Sequence, residues 1–570
     1  MTRVLLSVLA LAGVLQAQWP EDPALNFAVC DRAGEQTLPK LAATSDGGCY
    51  VSWQDHGAGN YDTWLQRLDA EGQPVWADGG LLLSDHPQET WITDYDLAVD
   101  AQDHAIVAIN DIRDGADRDI TAYRISPAGE FAWGPDGLAV SRNEGFEPDP
   151  QICVTTEGNI VFAWQEDSVL HLRKVSPAGL DLWDPVSLTL SATYALSIPR
   201  LAAAPDDGVL LQYLEAQGSQ FWSPKHLYLQ RFDAAGQPAW EGPGAAVSTA
   251  GGFGPQMRPE LLGDGAGGAF CYWYDSRNNQ LHAYAQHLLA DGGAGWTANG
   301  VLLSTTASEL QDQPRVVLDE VGAGPPALEL YYRITDLDQN LAGIAGQRLS
   351  WEGERQWGAS GRVLHALSSQ NRQSVIATRG LADSSLVGHL EFPVGDVLHS
   401  RLVVEAVRED GEAGWEPALV TASSTASSRG YLSATAGARG QLLAVWQDQR
   451  DDASGDILLQ NVNPDGSLGA WEDTNLPAPA GRPTTPDMLA AWPNPFNPST
   501  RVALELPGAG TLRLSVHDLR GAEVARLLDG WQPAGRQVVD WNAAGLPSGS
   551  YWLRLETAGG RKSLRVTLLK

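Results

Sequence analysis

The sequence predicts an all-β protein in which an eight-bladed β-propeller is followed by a small β-sandwich. Three observations support this prediction. A Gly-x-x-x-Trp segment recurs along most of the chain, short alternating apolar runs lie between its copies, and a proline-rich stretch precedes a tail with strands of its own. The chain has 570 residues, of which 43% are hydrophobic and 21 are tryptophan, so its apolar surface is ample for a large buried core.

The net charge restricts the partners of the protein. Lysine and arginine together number 38 and aspartate and glutamate 70, so the formal net charge is 38 − 70 = −32. Nucleic-acid phosphates and anionic lipid surfaces both require clustered cations. The composition therefore excludes a nucleic-acid partner and a polybasic membrane contact.

The first residues predict export. Arg3 precedes an almost wholly apolar run from Val4 to Val14, and a small residue, Ala17, ends the segment. A basic start, a short apolar run and a small residue at the cleavage site make up a secretory signal peptide, which we place at residues 1–17. No later stretch reaches the ~18 apolar residues of a spanning helix. We therefore expect a secreted or outer-membrane surface protein without a transmembrane anchor.

An internal repeat organises most of the chain. Its eight copies begin at a glycine and reach a tryptophan four residues later, or five in the last copy: Gly72/Trp76, Gly129/Trp133, Gly179/Trp183, Gly236/Trp240, Gly292/Trp296, Gly353/Trp357, Gly411/Trp415 and Gly466/Trp471. Consecutive tryptophans are 50 to 61 residues apart. A glutamine recurs at one place before them: Gln66, Gln230, Gln286, Gln347 and Gln460.

Each repeat predicts four strands joined by hairpins, which is the pattern of a propeller blade. We expect the repeated glycine to adopt a positive φ in the third hairpin and the tryptophan to pack between blades. The segment from Trp19 to Val29 resembles the fourth strand of a blade, and the eighth copy stops at Trp471 without one. A propeller over residues 18–471, closed by this N-terminal strand, follows. Seven blades are the alternative, because the seventh copy, about residues 372–428, is the most degenerate.

The remaining residues predict a linker and a second domain. Residues 472–488 contain four prolines and little apolar bulk, which indicates an extended linker. Alternating apolar runs over 501–506, 511–516, 536–541 and 550–555 predict a sandwich of about seven strands at residues 489–570.

The tail also carries a family resemblance. Its motif residues are Asn494, Pro495, Phe496, Asn497, Pro498, Gly521 and Gly549. This segment resembles the FlgD-type immunoglobulin-like module that overlaps the type IX secretion (Por) C-terminal sorting domains, although His517 stands where tyrosine is commoner. The resemblance implies an Ig-like sandwich read by a bacterial secretion translocon, for secretion or surface attachment.

Repeated carboxylates are the candidate site residues of the propeller. Asp55, Asp111, Asp275 and Asp448 each follow a predicted second strand, and three of them continue as Asp-x-Arg. In a ring they would lie around one face, where they could bind a ligand. A repeated residue also serves a repeated structural need, such as accepting backbone donors or pairing with the neighbouring arginine. Both interpretations stay open, with the structural one favoured.

Calcium is the only cofactor that the acidic composition suggests. Asp448, Asp451, Asp452 and Asp456 crowd one loop, and carboxylate oxygens suit Ca²⁺. No EF-hand pattern is present, so we predict no cofactor and keep this loop as a weak calcium candidate. The four cysteines lie far apart in sequence, and disulfides or buried free thiols are both compatible with an exported chain.

No catalytic motif stands out. The sequence contains no His-Glu-x-x-His, no Gly-x-Ser-x-Gly and no phosphate-binding loop. We therefore expect a non-enzymatic surface propeller that binds an unknown extracellular ligand, whether glycan, protein or matrix polymer. The alternative is a secreted polysaccharide hydrolase or lyase with its site in the propeller funnel. Carboxylates that converge in one pocket with perturbed pKa values would favour the enzyme.

Overall fold

The computed structural model divides the chain into two compact units, with the division between Trp471 and Glu472. It describes residues 19–88, 94–113, 118–142, 144–184, 187–220, 222–319, 326–380, 384–396, 398–451, 453–471, 488–492, 494, 496–506, 510–517, 522–532, 535–557 and 560–570. The predicted signal peptide and residues 472–487 of the predicted linker lie outside this part of the chain. Within it, no helix is long and apolar enough to span a membrane.

The described residues of the first unit form eight antiparallel sheets of four strands each. We number them sheet 1 to sheet 8 along the chain, and the first strand, β1, belongs to sheet 8. Strand β1 is Phe27–Cys30. Sheet 1 contains β2 Gln36–Ala43, β3 Cys49–Asp55, β4 Asp62–Leu68 and β5 Leu81–Ser84, and sheet 2 contains β6 Asp96–Val99, β7 Ala105–Asp111, β8 Asp119–Ile125 and β9 Leu138–Ala139. Sheet 3 contains β10 Gln151–Val154, β11 Ile160–Glu166, β12 Val169–Val175 and β13 Ser187–Leu190, and sheet 4 contains β14 Leu196–Ala204, β15 Gly208–Ala216, β16 Lys225–Phe232 and β17 Ala245–Ser248.

Sheets 5 to 8 follow the same order. Sheet 5 contains β18 Glu260–Gly263, β19 Ala269–Asp275, β20 His282–Leu288 and β21 Val301–Leu302, and sheet 6 contains β22 Glu309–Asp319, β23 Ala327–Asp336, β24 Ala342–Ser350 and β25 Arg362–Ser368. Sheet 7 contains β26 Arg372–Arg379, β27 Ser384–Glu391, β28 Ser400–Arg408 and β29 Leu419–Ser427, and sheet 8 contains β30 Arg429–Ala436, β31 Leu442–Asp448 and β32 Asp456–Val462 together with β1.

The sheets are arranged around a centre. The first strand of a sheet contacts the first strand of the next, as β2 does with β6 and β22 with β26, and β30 of sheet 8 contacts β2 of sheet 1. Between sheets 5 and 6 the main contacts of β22 are with β19 and β20. The first strands therefore line a central channel, and the fourth strands lie outside. This radial arrangement of four-stranded sheets is a β-propeller. It confirms the prediction of an all-β propeller.

Sheet 8 joins the two ends of the first unit. β1 pairs antiparallel with β32, so the order across the sheet is β1, β32, β31, β30. The N-terminal residues thus supply the outer strand that residues 429–462 lack. The pairing protects an edge that would otherwise be open to other strands.

Tryptophans connect neighbouring sheets through the repeated glycines. Gly129 has a φ of 86°, and a Cβ added to it would lie 3.2 Å from Trp76 of the preceding sheet. The Trp76 indole also donates a hydrogen bond to the Pro127 carbonyl, at 3.2 Å. Equivalent indole-to-carbonyl bonds are made by Trp19, Trp133, Trp183, Trp296, Trp357 and Trp415.

We call these tryptophans the tryptophan belt, and one of its members differs from the sequence-based prediction. The tryptophan that lies on Gly72 of sheet 1 is Trp19, not Trp471, because the outer strand of sheet 8 comes from the N-terminus. The positive φ values of the repeated glycines and the packing of tryptophans between sheets are as predicted.

The second unit has two sheets around one core. Its described strands are β33 Met488–Trp492, β34 Ser499–Leu506, β35 Gly510–His517, β36 Glu523–Gln532, β37 Gly535–Asn542, β38 Gly549–Thr557 and β39 Gly560–Leu568. One sheet has the order β33-β34-β37 and the other β36-β35-β38-β39. Leu514, Trp541 and Leu553 are among the buried residues that they share.

The described motif residues of the tail lie where the chain enters this core and contact its strands. Phe496 is buried and packs on Trp541, with ring centroids 5.1 Å apart. Asn494 accepts a hydrogen bond from the Thr567 N–H and donates one to the Arg565 carbonyl. Asn497 is exposed, Pro498 accepts a bond from the Ala543 N–H, and Gly549 begins β38. Pro495 and Gly521 lie outside the described residues.

All four cysteines are free and buried: Cys30, Cys49, Cys153 and Cys271. Of the two possibilities that the sequence left open, the structure therefore has the buried thiols.

Candidate functional site in the central channel

The four repeated aspartates lie at the ends of second strands and are held by arginines. Asp275 accepts bonds from the Arg277 guanidinium at 2.5 to 3.0 Å and from the Trp273 indole at 2.8 Å. Asp111 is bound by Arg113 at 2.6 Å. The carboxylates of Asp55 and Asp448 are paired in the same way, Asp55 with Arg32 and Asp448 with both Arg429 and Arg450.

These ion pairs also connect each sheet to the one before it. Arg277 of sheet 5 contacts the Ser248 hydroxyl of sheet 4 at 3.3 Å, and Arg450 of sheet 8 contacts the Ser423 hydroxyl of sheet 7 at 3.1 Å. The four carboxylates therefore stay at separate sheet junctions, each neutralised by its own cation. This geometry favours the structural interpretation over a shared ligand site.

The acidic loop considered for calcium gives no convergent ligand set. Asp448 is fully buried against its two arginines, and Asp456 is its buried register partner on β32. Asp451 is exposed, and Asp452 lies outside the described residues. Among the described residues, these carboxylates do not form a group of three that could hold one ion.

A different set of polar residues is brought together by bulges in the inner strands. The bulged residues Leu38, Ile198 and Gln313 have φ values of 53°, 58° and 52°, and each precedes a proline. Such a φ is uncommon for any residue with a side chain and rare for a β-branched one. A bulge re-aims the residues that follow it. The residue after the proline is a long cation in these three sheets: Lys40, Arg200 and Arg315.

One inner-strand position therefore recurs around the channel, which we call the ring position. Its occupants, identified by their partners on the second strands, are Lys40, Asp96, Gln151, Arg200, Glu260, Arg315, Ile376 and Ser433. Unlike the repeated tryptophans and glycines, these residues differ in charge from sheet to sheet. The ring position is where the repeats differ in chemistry.

Charges of opposite sign pair around this ring. The Arg200 Nε lies 3.4 Å from a Glu260 carboxylate oxygen, and the Lys40 ammonium lies 2.8 Å from Asp94. Arg258 lies 3.9 Å from Asp149. We call Asp94, Asp96, Asp149, Arg200 and Glu260 the channel cluster.

Asp96 is the carboxyl group of this cluster whose pKa is raised. It accepts bonds from the Ile152 and Leu97 N–H groups, at 2.8 and 2.9 Å, which fix it between the inner strands of sheets 2 and 3. Burial raises the pKa of Asp96, although the charge of Lys40 and the two backbone bonds oppose this shift. Burial disfavours the charged form of a carboxyl group. The proton is therefore held to a higher pH than on an exposed aspartate.

Arg200 is the cation that the carboxylates of the cluster share. Burial lowers the pKa of Arg200, but Glu260, Asp96, Asp94 and Asp149 outweigh it and raise the pKa. Four carboxyl groups from three different sheets thus act on one guanidinium. The cluster brings together an acid with a raised pKa and an arginine on which several carboxyl groups act.

A cavity of about 600 Å³ opens beside the cluster. Asp149 and Arg258 line it on the channel side, and Gln165, Ser197 and the half-exposed Tyr194 supply amide, hydroxyl and aromatic surface. Such a combination of polar donors and an aromatic face is typical of a small-molecule or oligosaccharide subsite.

The sequence-based analysis missed the channel cluster. Part of its signal is a proline followed by a long polar residue near the start of a repeat, a pattern that includes Arg200 and Glu260 but not Asp94 or Asp96. The segments that carry it are Pro39-Lys40, Pro150-Gln151, Pro199-Arg200, Pro259-Glu260 and Pro314-Arg315. The pattern could have been found by aligning the repeats on their first strands instead of on the tryptophans.

Comparison with known proteins finds similar folds only among solved structures. No protein-family model matches the chain, and no curated protein sequence matches it. An α-L-arabinanase of Penicillium chrysogenum, solved with arabinobiose, is 12% identical, with 56% of this chain and 94% of that chain covered and a TM-score of 0.32. An endo-arabinase of Bacteroides thetaiotaomicron is 9% identical, with 80% and 99% covered and a TM-score of 0.27.

A third similar structure is PorZ of Porphyromonas gingivalis, an essential bacterial surface component of the type IX secretion system. It is 9% identical, with 97% of this chain and 100% of that chain covered and a TM-score of 0.17. At these TM-scores the likeness transfers no residue, substrate or partner to this chain.

The expectation of a non-enzymatic binding protein is wrong in the light of these findings. The similar structures include an arabinanase and an endo-arabinase, which contradict it. The activity proposed below is argued from the side chains of the channel cluster alone.

Proposed function

We propose that this chain is a secreted glycoside hydrolase that cleaves a polysaccharide at the channel cluster. The observation that carries the proposal is Asp96, a carboxyl group with a raised pKa that shares the arginine Arg200 with the carboxylate Glu260. Glycoside hydrolysis requires such a pair. One carboxyl protonates the leaving oxygen, and a second, ionised carboxylate activates water or attacks the sugar.

The roles follow from the two environments. Burial raises the pKa of Asp96, which suits a proton donor, so we assign it as the general acid. Glu260 lies 3.4 Å from the Arg200 Nε, and we assign it as the base or nucleophile. Arg200 also stabilises negative charge after Asp96 has given up its proton.

The cavity supplies a path for the substrate. Tyr194 offers an aromatic face for a sugar ring, while Gln165 and Ser197 offer partners for hydroxyl groups. Asp149 belongs both to the cavity wall and to the channel cluster. A glycan lying in the cavity would therefore reach the cluster with one end or one linkage.

The architecture and address belong to the same proposal. We take the eight four-stranded sheets as the blades of one eight-bladed propeller, in agreement with the contacts that link each sheet to the next and sheet 8 to sheet 1. We take residues 1–17 as the signal peptide and residues 489–570 as an Ig-like sorting module that a secretion translocon reads. The protein would then act outside the cell or on the outer-membrane surface.

Reducing-end release from polysaccharides tests the hydrolase proposal. The purified chain is incubated with arabinan, xylan, pectin, β-glucan and mannan, and new reducing ends and absorbance at 235 nm are measured. We expect release from at least one substrate without unsaturated ends. Asp96→Asn should lower kcat by about 10²- to 10⁴-fold, the usual contribution of a general acid.

The control is Asp410→Asn, which changes an exposed carboxylate that is bound by Arg408 and the Glu412 N–H, and it should leave the rate unchanged. Release that persists in Asp96→Asn would remove Asp96 from the mechanism. No release from any substrate, or unsaturated ends at 235 nm, would refute hydrolysis at this site.

A further inference from the structure

Two histidines and a glutamate meet between sheets 6 and 7. They are His365 on β25, His389 on β27 and Glu405 on β28, and one donor atom of each lies within 4.8 Å of the others. His365 Nε2 is 2.9 Å from Glu405 Oε1, and the two imidazole centroids are 4.9 Å apart. This trio lies apart from the channel cluster, because His365 belongs to an outer strand.

His389 is the unusual member of the trio. Its side chain is fully buried, and neither ring nitrogen has a hydrogen-bond partner in the described part of the chain. A buried polar group left without a partner costs about 1–3 kcal/mol. A bound metal ion would satisfy one of these ring nitrogens.

The trio also occupies three positions at which the other sheets have different residues. His389 follows Gly388, the partner of the ring-position residue Ile376, as Trp53 follows the partner of Lys40. At this place the other sheets have large, buried side chains: Trp53, Ile109, Trp164, Tyr213, Trp273, Tyr332 and Trp446. A histidine leaves room there that an indole would fill.

The two other members depart from the repeat at the same junction. His365 pairs with Ile344 at a bulge where sheets 1, 4 and 7 have a serine, for example Ser84 opposite Thr63. Glu405 takes the place of the repeated glutamine. In five sheets the side-chain amide of that glutamine donates to a backbone carbonyl, as Gln66 does to Ala77. An ionised glutamate cannot donate this bond.

Three departures that converge on one point require a common cause. We propose that His365, His389 and Glu405 bind a divalent transition-metal ion of the Zn²⁺ class between sheets 6 and 7. Imidazole nitrogens with one carboxylate are a usual zinc donor set, whereas Ca²⁺ and Mg²⁺ prefer oxygen ligands alone. Bonds of about 2.0–2.1 Å require the donors to close by distances on the order of 1 Å.

The surroundings fit a site with three protein ligands and water. The His365 side chain is 18% exposed and that of Glu405 9%, so water reaches the ion from the outer side of the junction while His389 closes the inner side. The contact between sheets also differs here. A Cβ at Gly411 would meet Arg362, where the other repeated glycines of sheets 1 to 6 and 8 meet a tryptophan of the preceding sheet or its close neighbour. Trp357 of sheet 6 still belongs to one buried cluster with Val387 and Val407 of sheet 7 and donates to the Glu409 carbonyl, so the ion would add to this packing.

Metal binding to the tag-free full chain tests the proposal. The protein is treated with a chelator, dialysed and titrated with Zn²⁺ by calorimetry and with Co²⁺ by visible absorption. We expect one Zn²⁺ per chain, a visible d–d absorption band that indicates a Co²⁺ ion of low coordination number, and a rise in Tm on Zn²⁺ addition. Glu405→Gln and His365→Ser, which restore the residues of the repeat, should weaken Zn²⁺ binding by more than about 100-fold, beyond the loss typical of changing a residue that only orients a metal ligand.

The control variant is His399→Ala, which removes an exposed histidine paired with Asp396 and should bind Zn²⁺ as the wild type does. Glu405→Gln is nearly isosteric, so its far-ultraviolet spectrum and Tm without metal should match the wild type. The proposal is refuted if the wild type binds no Zn²⁺, or if Glu405→Gln and His365→Ser bind it with unchanged affinity. Because no readout is enzymatic, this result is independent of the hydrolase proposal.

Discussion

The tightest contact of the tryptophan belt gives a quantitative prediction at Gly353. A Cβ added there would lie 2.6 Å from Cγ of Trp296 and 2.8 Å from its Cδ1, at a φ of +83°. Trp296 cannot move aside easily, because its indole donates to the Trp351 carbonyl at 2.9 Å and its ring packs on Phe270. Gly353→Ala combines the strain of a left-handed residue, about 1–2 kcal/mol, with overpacking of about 1–3 kcal/mol. We expect a loss of about 2–5 kcal/mol in the free energy of unfolding.

Gly358 offers a matched control in the same hairpin. Its φ is also +83°, but a Cβ there would meet nothing within 4 Å. Gly358→Ala should therefore cost only the backbone strain, about 1–2 kcal/mol. Guanidinium unfolding followed by tryptophan fluorescence measures both variants against the wild type. If the two alanine variants lost the same stability, the contact with Trp296 would contribute nothing, and the belt would not hold the sheets as described.

Two further predictions concern buried groups. Lys174→Met should cost about 3 kcal/mol, because the fully buried ammonium lies 2.6 Å from Asp207. Burial alone would raise the pKa of Asp207, but Lys174 and other donors outweigh it and lower the pKa, so this stability is present above about pH 4 and is lost as the pH falls through the folded-state pKa. Urea unfolding from pH 7 to 3 should show a shallower decline in the variant, and parallel declines would contradict the assignment. Burial raises the pKa of Cys49 and Cys153 to about 12 and that of Cys271 higher, so iodoacetamide at pH 8 should modify these thiols only after unfolding, as mass spectrometry would detect.

The features that the sequence predicts well are those that every repeat shares. A glycine in a tight hairpin must adopt a positive φ wherever the hairpin occurs, so Gly129 and Gly353 reveal the same turn in different sheets. The tryptophan four residues later is apolar and large, and a ring of sheets offers it one buried place. Local rules of this kind need no knowledge of distant contacts, which is why the all-β propeller could be predicted.

The channel cluster depends on contacts between residues that are far apart in sequence. Asp96 and Glu260 share Arg200 only because three inner strands face one channel. The bulge at Ile198 that precedes Arg200 places a β-branched residue at positive φ, which single-residue preferences disfavour. The repeated aspartates attracted more notice in the sequence, but Asp275 is held by its own arginine. The acidic residues that matter to the proposed reaction are therefore those that do not repeat.

The same distinction separates structure from function throughout the propeller. A residue that recurs in sheet after sheet, such as the glutamine represented by Gln66, solves a problem that every sheet has, here the backbone carbonyl next to the third hairpin. A residue that replaces the recurring one no longer makes this bond, and the lost bond must be compensated nearby. At one sheet junction, Glu405 lacks the side-chain amide of the repeated glutamine, and His389 is smaller than the large side chains at the equivalent positions. At the ring position the occupants change from cation to carboxylate, and a bulge precedes Arg200 but not Asp96 or Glu260. Departures from the repeat that converge in space are best explained by a shared ligand, which is why we propose a sugar at the channel cluster and a metal ion between sheets 6 and 7.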